Sequence, residues 1–217
     1  MSFQAVIFDL DGTLLDTIED LKEAVNLSLE RHGFPKHDSG AYRRMVGNGV
    51  MKLVELAMPA DARTAERIAL LDREVNEYLA AHPVTRTRPY PGVPELLGAL
   101  QSRGVKTAIL SNKPDHLTQK VVGVLLASWR FADVQGQRSG VPRKPDPAAA
   151  LSMAHAMGAS PDETLFLGDS DVDMKTAVAA SMFPVGAAWG FRGAEELKSA
   201  GARRVINAPL ELLDLLG

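Results

Sequence analysis

The stretch Ala5-Val6-Ile7-Phe8-Asp9-Leu10-Asp11-Gly12-Thr13 decides how the rest of the chain is read. Four apolar residues end on two carboxylates that flank a leucine, and a glycine then turns the chain. So short an unbroken apolar run reads as a strand covered on both faces. Similar runs recur at 107–110, 133–136, 164–167, Phe183–Ala187 and 203–206, and helical patterns lie between them at 93–103, 115–126, 147–157 and 171–180. Strands alternating with helices of this length predict right-handed βαβ units. The fold expected is α/β, a doubly wound, Rossmann-like parallel sheet.

One region breaks the alternation. From Thr17 to His82 there is no strand pattern; Ile18, Leu21, Val25 and Leu29 repeat at helical spacing, as do Ile68, Leu71, Val75 and Leu79. Gly33, Pro35, Gly47, Gly49 and Pro59 punctuate it, and three prolines in 83–92 read as a return linker. The expectation is an all-helical cap domain of residues 17–85 inserted into a core of residues 1–16 and 86–217, with hinges near Asp16 and Arg86.

Composition narrows the function classes. The 217 residues are 46% hydrophobic and 24% charged with a net charge of −3, an ordinary globular balance with no electrostatic footprint for nucleic acid or an anionic membrane. With no cysteine, disulfides, thiolate metal sites and a thiol nucleophile are excluded together. The apolar run before Asp9 is too short for a signal segment or a membrane span. A cytoplasmic protein, monomer or homodimer, is expected.

Ligands of an open parallel sheet sit outside the carboxyl ends of its strands. Four polar clusters fall there: Asp9-Leu10-Asp11-Gly12-Thr13, Ser111-Asn112-Lys113, Lys144-Pro145-Asp146-Pro147 and Gly168-Asp169-Ser170-Asp171-Val172-Asp173. Singly they read as turns or helix caps. A calcium loop fails, because Gly12 at its sixth position would make Ile7 and Ile18 the end ligands. Together they supply carboxylates, a hydroxyl and a lysine. Crowded carboxylates call for a hard cation, and oxygen donors suit Mg²⁺. The hydroxyl and ammonium suit the oxygens of a phosphoryl group. One carboxylate can then attack phosphorus while another moves a proton.

The four clusters resemble the motifs of haloacid-dehalogenase superfamily phosphatases with an α-helical cap, over essentially the whole chain. Asp9-Leu10-Asp11-Gly12-Thr13-Leu14 matches the first motif, Leu110-Ser111-Asn112 the second, Lys144 the third, and Gly168-Asp169 with Asp173 the fourth. The resemblance implies Asp9 as nucleophile and Asp11 as general acid/base. Mg²⁺ would be held by Asp9, the backbone carbonyl of Asp11 and Asp169, with Asp173 in support. Ser111 and Lys144 would bind the phosphoryl group. The third motif is shifted against the pattern often written for it, which leaves Arg143 as the alternative to Lys144.

In the cap, the turn Val46-Gly47-Asn48-Gly49-Val50 reads by spacing as an interhelical turn. With Asn112-Lys113-Pro114 and Trp189-Gly190-Phe191-Arg192, it also resembles phosphoglycolate phosphatases. That likeness makes Gly47, Asn48, Gly49 and Asn112 substrate-binding candidates, with Arg43 or Lys52 as cationic support. The expected substrate is a small phosphorylated metabolite, 2-phosphoglycolate foremost. A sugar-phosphate mutase, a pyrophosphatase or a phosphate-binding module without turnover are the alternatives.

Overall fold

Every side chain of β1 (Ala5–Phe8) is buried, and the strand divides its residues between two cores. Val6 and Phe8 join one hydrophobic cluster, Ala5 and Ile7 another, as the two-residue period of a strand requires. The computed structural model describes residues 3–216. After β1 come a two-residue strand β2 (Leu15–Asp16) and its antiparallel partner β3 (Arg88–Pro89), then β4 (Lys106–Pro114), β5 (Asp133–Gln137), β6 (Thr164–Gly168), β7 (Phe183–Ala187) and β8 (Arg204–Ile206). The main sheet is six-stranded and parallel in the order β5-β4-β1-β6-β7-β8, which puts β1 at its centre. No helix among the described residues is long and apolar enough to cross a membrane.

Four helices fill the insert: α1 (Ile18–Arg31), α2 (Ser39–Met45), α3 (Val50–Ala57) and α4 (Ala65–Ala81). Five serve the sheet: α5 (Val93–Ser102), α6 (Asp115–Leu125), α7 (Ala148–Ala156), α8 (Asp171–Ala179) and α9 (Ala194–Ser199). Leu96, Leu100 and Val121 cover one face of the sheet, and Met153, Ala154 and Ala177 cover the other. The insert has its own core of Leu21, Val25, Leu29, Leu53, Leu71 and Val75, into which the sheet-side Leu117 of α6 reaches. At about 1.5–3 kcal/mol for each large apolar side chain removed from water, such a cluster holds four short helices together.

Two features differ from the sequence reading. β4 runs on to Pro114, well past Leu110, and its pairing with β5 shifts register between those residues. The polar residues 111–113 stay extended because the site claims their side chains. The β2/β3 ribbon at the root of the insert has no signature in the sequence, since two-residue strands carry no periodicity.

Asp20 fixes the return of the chain. Its buried carboxylate accepts hydrogen bonds from the amides of Thr85 (3.1 Å), Arg86 (2.8 Å) and Thr87 (3.0 Å) and from the Thr87 hydroxyl (2.7 Å). Burial alone would raise its pKa, but these donors outweigh burial and lower it. Asp20→Asn turns an NH2 group toward amide donors and should cost about 2–3 kcal/mol. A carboxyl with a lowered native pKa stabilises fully above its ordinary value of 3.8 and stops doing so as the pH falls through the native value. The gap in urea midpoint between parent and variant should therefore hold from neutral pH down to about 5 and close below about 4. An unchanged midpoint at neutral pH would contradict the role given to Asp20.

Candidate active site

β1 delivers Asp9 to the carboxyl edge of the sheet, where its amide still bonds to the Leu167 carbonyl of β6 at 2.9 Å. The chain then wraps tightly, with the amides of Thr13, Leu14 and Leu15 all directed at the Leu10 carbonyl. Gly12 sits at φ +89°, and a Cβ there would lie 2.3 Å from an Asp169 oxygen, so only glycine fits. This wrap places the Asp11 side chain beside β4 and the Thr13 hydroxyl 3.2 Å from Asp169 Oδ1.

Lys144 reaches the same point from the opposite side. Its Nζ lies 2.8 Å from Asp9 Oδ1 and 2.7 Å from Asp173 Oδ1, and the side chain is 2% exposed. The shift expected of the third motif does not displace the ammonium. Arg143 instead points into the insert, where it donates to the Asn48 carbonyl at 3.1 Å. Asn112 braces the lysine, accepting from the Lys144 amide at 3.0 Å and donating to its carbonyl at 3.1 Å.

The acidic loop after β6 divides its labour. Ser170 and Asp173 form a capping box at the start of α8, in which Asp173 Oδ2 accepts from the Ser170 amide at 3.1 Å and its hydroxyl at 2.6 Å. With Lys144 on Oδ1, both oxygens of Asp173 are engaged. Asp169 accepts from Thr13 and from the Phe191 amide, the latter at 2.7 Å.

Asp9, Asp169 and Asp173 bring carboxylate oxygens within 4.8 Å of one another, all buried. Their electrostatics are unbalanced. Burial, and then the charge of Asp173, push the Asp9 pKa up to about 7 despite Lys144. Burial and the charges of Asp9 and Asp173 hold Asp169 well above the usual range. For Lys144 burial works against the charged form, but Asp173 and Asp9 prevail and raise its pKa. One ammonium among three buried carboxylates leaves charge that a hard, oxygen-seeking divalent cation fits.

The cavity over these groups is lined from the sheet side by Asp9, Asp11, Ser111, Asn112, Lys113 and Lys144, and from the insert by Leu21, Val46, Gly47, Gly49, Val50 and Leu53. Gly47 and Gly49 thus face the site. Asn48, Arg43 and Lys52 do not line it: Arg43 lies 3.9 Å from Asp16 and stacks over Phe191, and Lys52 pairs with Glu55 at 2.9 Å. Gly49, at φ +82°, starts α3, and a Cβ there would come 3.1 Å from the Asn112 carbonyl.

Several participants escaped the sequence reading. Lys113, buried and 3.2 Å from Asp11 Oδ1, was visible only as the neighbour of Ser111-Asn112. Three successive carbonyls of the cap turn each accept from a side chain on the sheet side: Val46 from Arg192 at 2.8 Å, Gly47 from Asn112 at 3.1 Å and Asn48 from Arg143. Arg192 also donates to the Arg43 and Arg44 carbonyls, closing off the end of α2. Because Phe191 binds Asp169, one short loop ties the acidic cluster to the turn that lies over it.

A central-strand aspartate, a buried lysine and an acidic cluster under a helical lid define an enzyme site built around carboxylates. A family model described as haloacid dehalogenase-like hydrolase matches residues 3–181. Phosphoglycolate phosphatase of Rhodospirillum rubrum is 35% identical over 221 residues, covering 99% of this chain and 91% of its own length. That of Aquifex aeolicus is 30% identical, covering 98% and 96%. Among solved structures, a candidate phosphoglycolate phosphatase from Lactobacillus delbrueckii superposes with a TM-score of 0.92 at 29% identity, over 100% of this chain and 99% of the other. The chain belongs to the haloacid dehalogenase-like hydrolase family.

Proposed function

We propose that this hydrolase is a Mg²⁺-dependent phosphatase that cleaves a small phosphomonoester through an aspartyl-phosphate on Asp9, with 2-phosphoglycolate as the leading substrate. The observation that carries this reading is the state of Asp9, at the end of the central strand with one oxygen on Lys144 and the cavity before it. The names of the two curated relatives support the substrate.

Asp9 attacks phosphorus, the P–O ester bond breaks, and its electron pair leaves with the alkoxide oxygen, which takes a proton from Asp11. Water then gives a proton to Asp11 and attacks the same phosphorus, releasing phosphate and restoring the Asp9 carboxylate. Lys144 and Ser111 hold phosphoryl oxygens throughout. Asp9, Asp169 and the Asp11 carbonyl would hold Mg²⁺, with Asp173 keeping Lys144 and the loop in place. Bound there, the ion would offset phosphoryl charge. The domain reading that goes with this is a cap of residues 17–85 on a core of 1–16 and 86–217; the separate apolar cluster of the insert and the β2/β3 ribbon at its root support it.

Phosphate release from a panel of small esters, with Mg²⁺ and with excess chelator, tests the proposal. The expected outcome is fastest release from 2-phosphoglycolate, loss of at least about a hundredfold in chelator, and a melting temperature raised by Mg²⁺ without substrate. Full activity in chelator would refute the metal role, and a faster ester without a carboxylate would refute the substrate.

A further inference from the structure

The cavity holds two buried ammonium groups, and they are not equally committed. Lys144 gives two of its three donors to the carboxylates of Asp9 and Asp173, which leaves one for a phosphoryl oxygen. Lys113 faces a single partner, lying 3.2 and 3.3 Å from the two oxygens of Asp11, and among the described residues its Nζ has no other acceptor. An ammonium carries three donors, so Lys113 keeps capacity for a second anion. No cationic side chain of the insert lines the cavity; its wall there is Leu21, Val50, Leu53 and the backbone of the turn.

We propose that Lys113 is the specificity-determining residue that reads a carboxylate on the substrate, and that in doing so it releases Asp11 for proton transfer. This rests on the phosphatase reading above, with Asp11 serving the leaving oxygen. Asp11 in its resting pair is turned to an ammonium, whereas the acid of the reaction must face the ester oxygen. A substrate carboxylate competes for the same donors and frees Asp11 as it binds, so the correct substrate completes the site. Reach sets the substrate class. An ammonium in contact with the acid that serves the leaving oxygen meets only an anion one or two bonds from that oxygen. A carboxylate on the carbon that bears the ester oxygen satisfies this, and one at the end of a long chain does not.

The test compares kcat/KM for 2-phosphoglycolate with that for 2-hydroxyethyl phosphate, the ester in which a neutral hydroxymethyl group replaces the carboxylate. The comparison is made on the parent, K113M and K113R. The parent should favour the carboxylated ester by at least about tenfold. K113M should slow the carboxylated ester far more than the neutral one and bring their ratio close to one, while K113R, which keeps the charge, should retain most of the preference. K113Q replaces K113M if the latter fails to fold. A K113M or K113Q that discriminates as well as the parent would overturn the inference alone. A parent without the preference would overturn the substrate reading and the inference with it. A purely structural lysine would lower both rates together and leave their ratio intact.

Discussion

Asp9→Asn should give a folded protein that releases phosphate at less than about a thousandth of the parent rate. The amide is close in shape to the carboxylate, so the wrap through Leu10 and the bond of the Asp9 amide to Leu167 persist. What disappears is the nucleophile, for a carboxamide oxygen does not displace an alkoxide from phosphorus. The structure adds an expectation about stability. Asp9 is desolvated and repelled by Asp173, which is why its pKa rises to about 7. Removing its charge relieves a buried repulsion, so in chelator the melting temperature should equal or exceed that of the parent. The gain conferred by Mg²⁺ should shrink, because one donor of the cation site is lost. Phosphate release within tenfold of the parent, or a variant melting well below it in chelator, would remove Asp9 from the position argued for it.

How much of this was legible in the sequence depended on whether a residue acts through local pattern or through distant pairing. β1 and the run at Phe183–Ala187 were readable because buried parallel strands are almost continuously apolar. Asp9, Asp11 and Asp169 were readable because a parallel sheet gathers whatever follows its strands, whereas Ser111, inside β4, and Lys144, seven residues past β5, were readable through the motifs they resemble. The clasp on the cap turn was not. Arg192 lies 146 positions from Val46, and Arg143 lies 95 from Asn48, so nothing in either neighbourhood marks the pairing. Lys52 and Arg43 show the converse. Proximity in sequence to the glycine turn suggested a cationic support, yet helical geometry turns Lys52 to Glu55, three residues along the same helix. The cations that do line the cavity are Lys113, from β4, and Lys144, from the loop after β5.

Lys144→Met should damage the fold as well as turnover. Methionine fills the space of the lysine stem, but the ammonium that lies over the Phe166 ring and beside the buried carboxylates of Asp9 and Asp173 is gone. Breaking a buried ion pair by removing one partner costs about 3–5 kcal/mol. For a chain of this size that is about 6–20 °C in melting temperature. The loss should depend on pH in a defined direction. A carboxyl with a raised native pKa favours the folded state in full only below its ordinary value of 3.8, and the advantage is lost as the pH climbs through the native value. In the parent that loss levels off near the Asp9 value of about 7, whereas without Lys144 the carboxyl resists ionisation further and the loss continues. Metal-free urea unfolding should therefore show a deficit that widens as the pH rises past about 7. Mg²⁺ should recover part of the deficit, because a divalent cation supplies the missing positive charge, yet turnover should stay at least about a thousandfold down without a donor on the phosphoryl oxygens. A deficit that is flat with pH and indifferent to Mg²⁺ would mean that Lys144 stabilises by packing alone and that the carboxylate cluster needs no counter-charge.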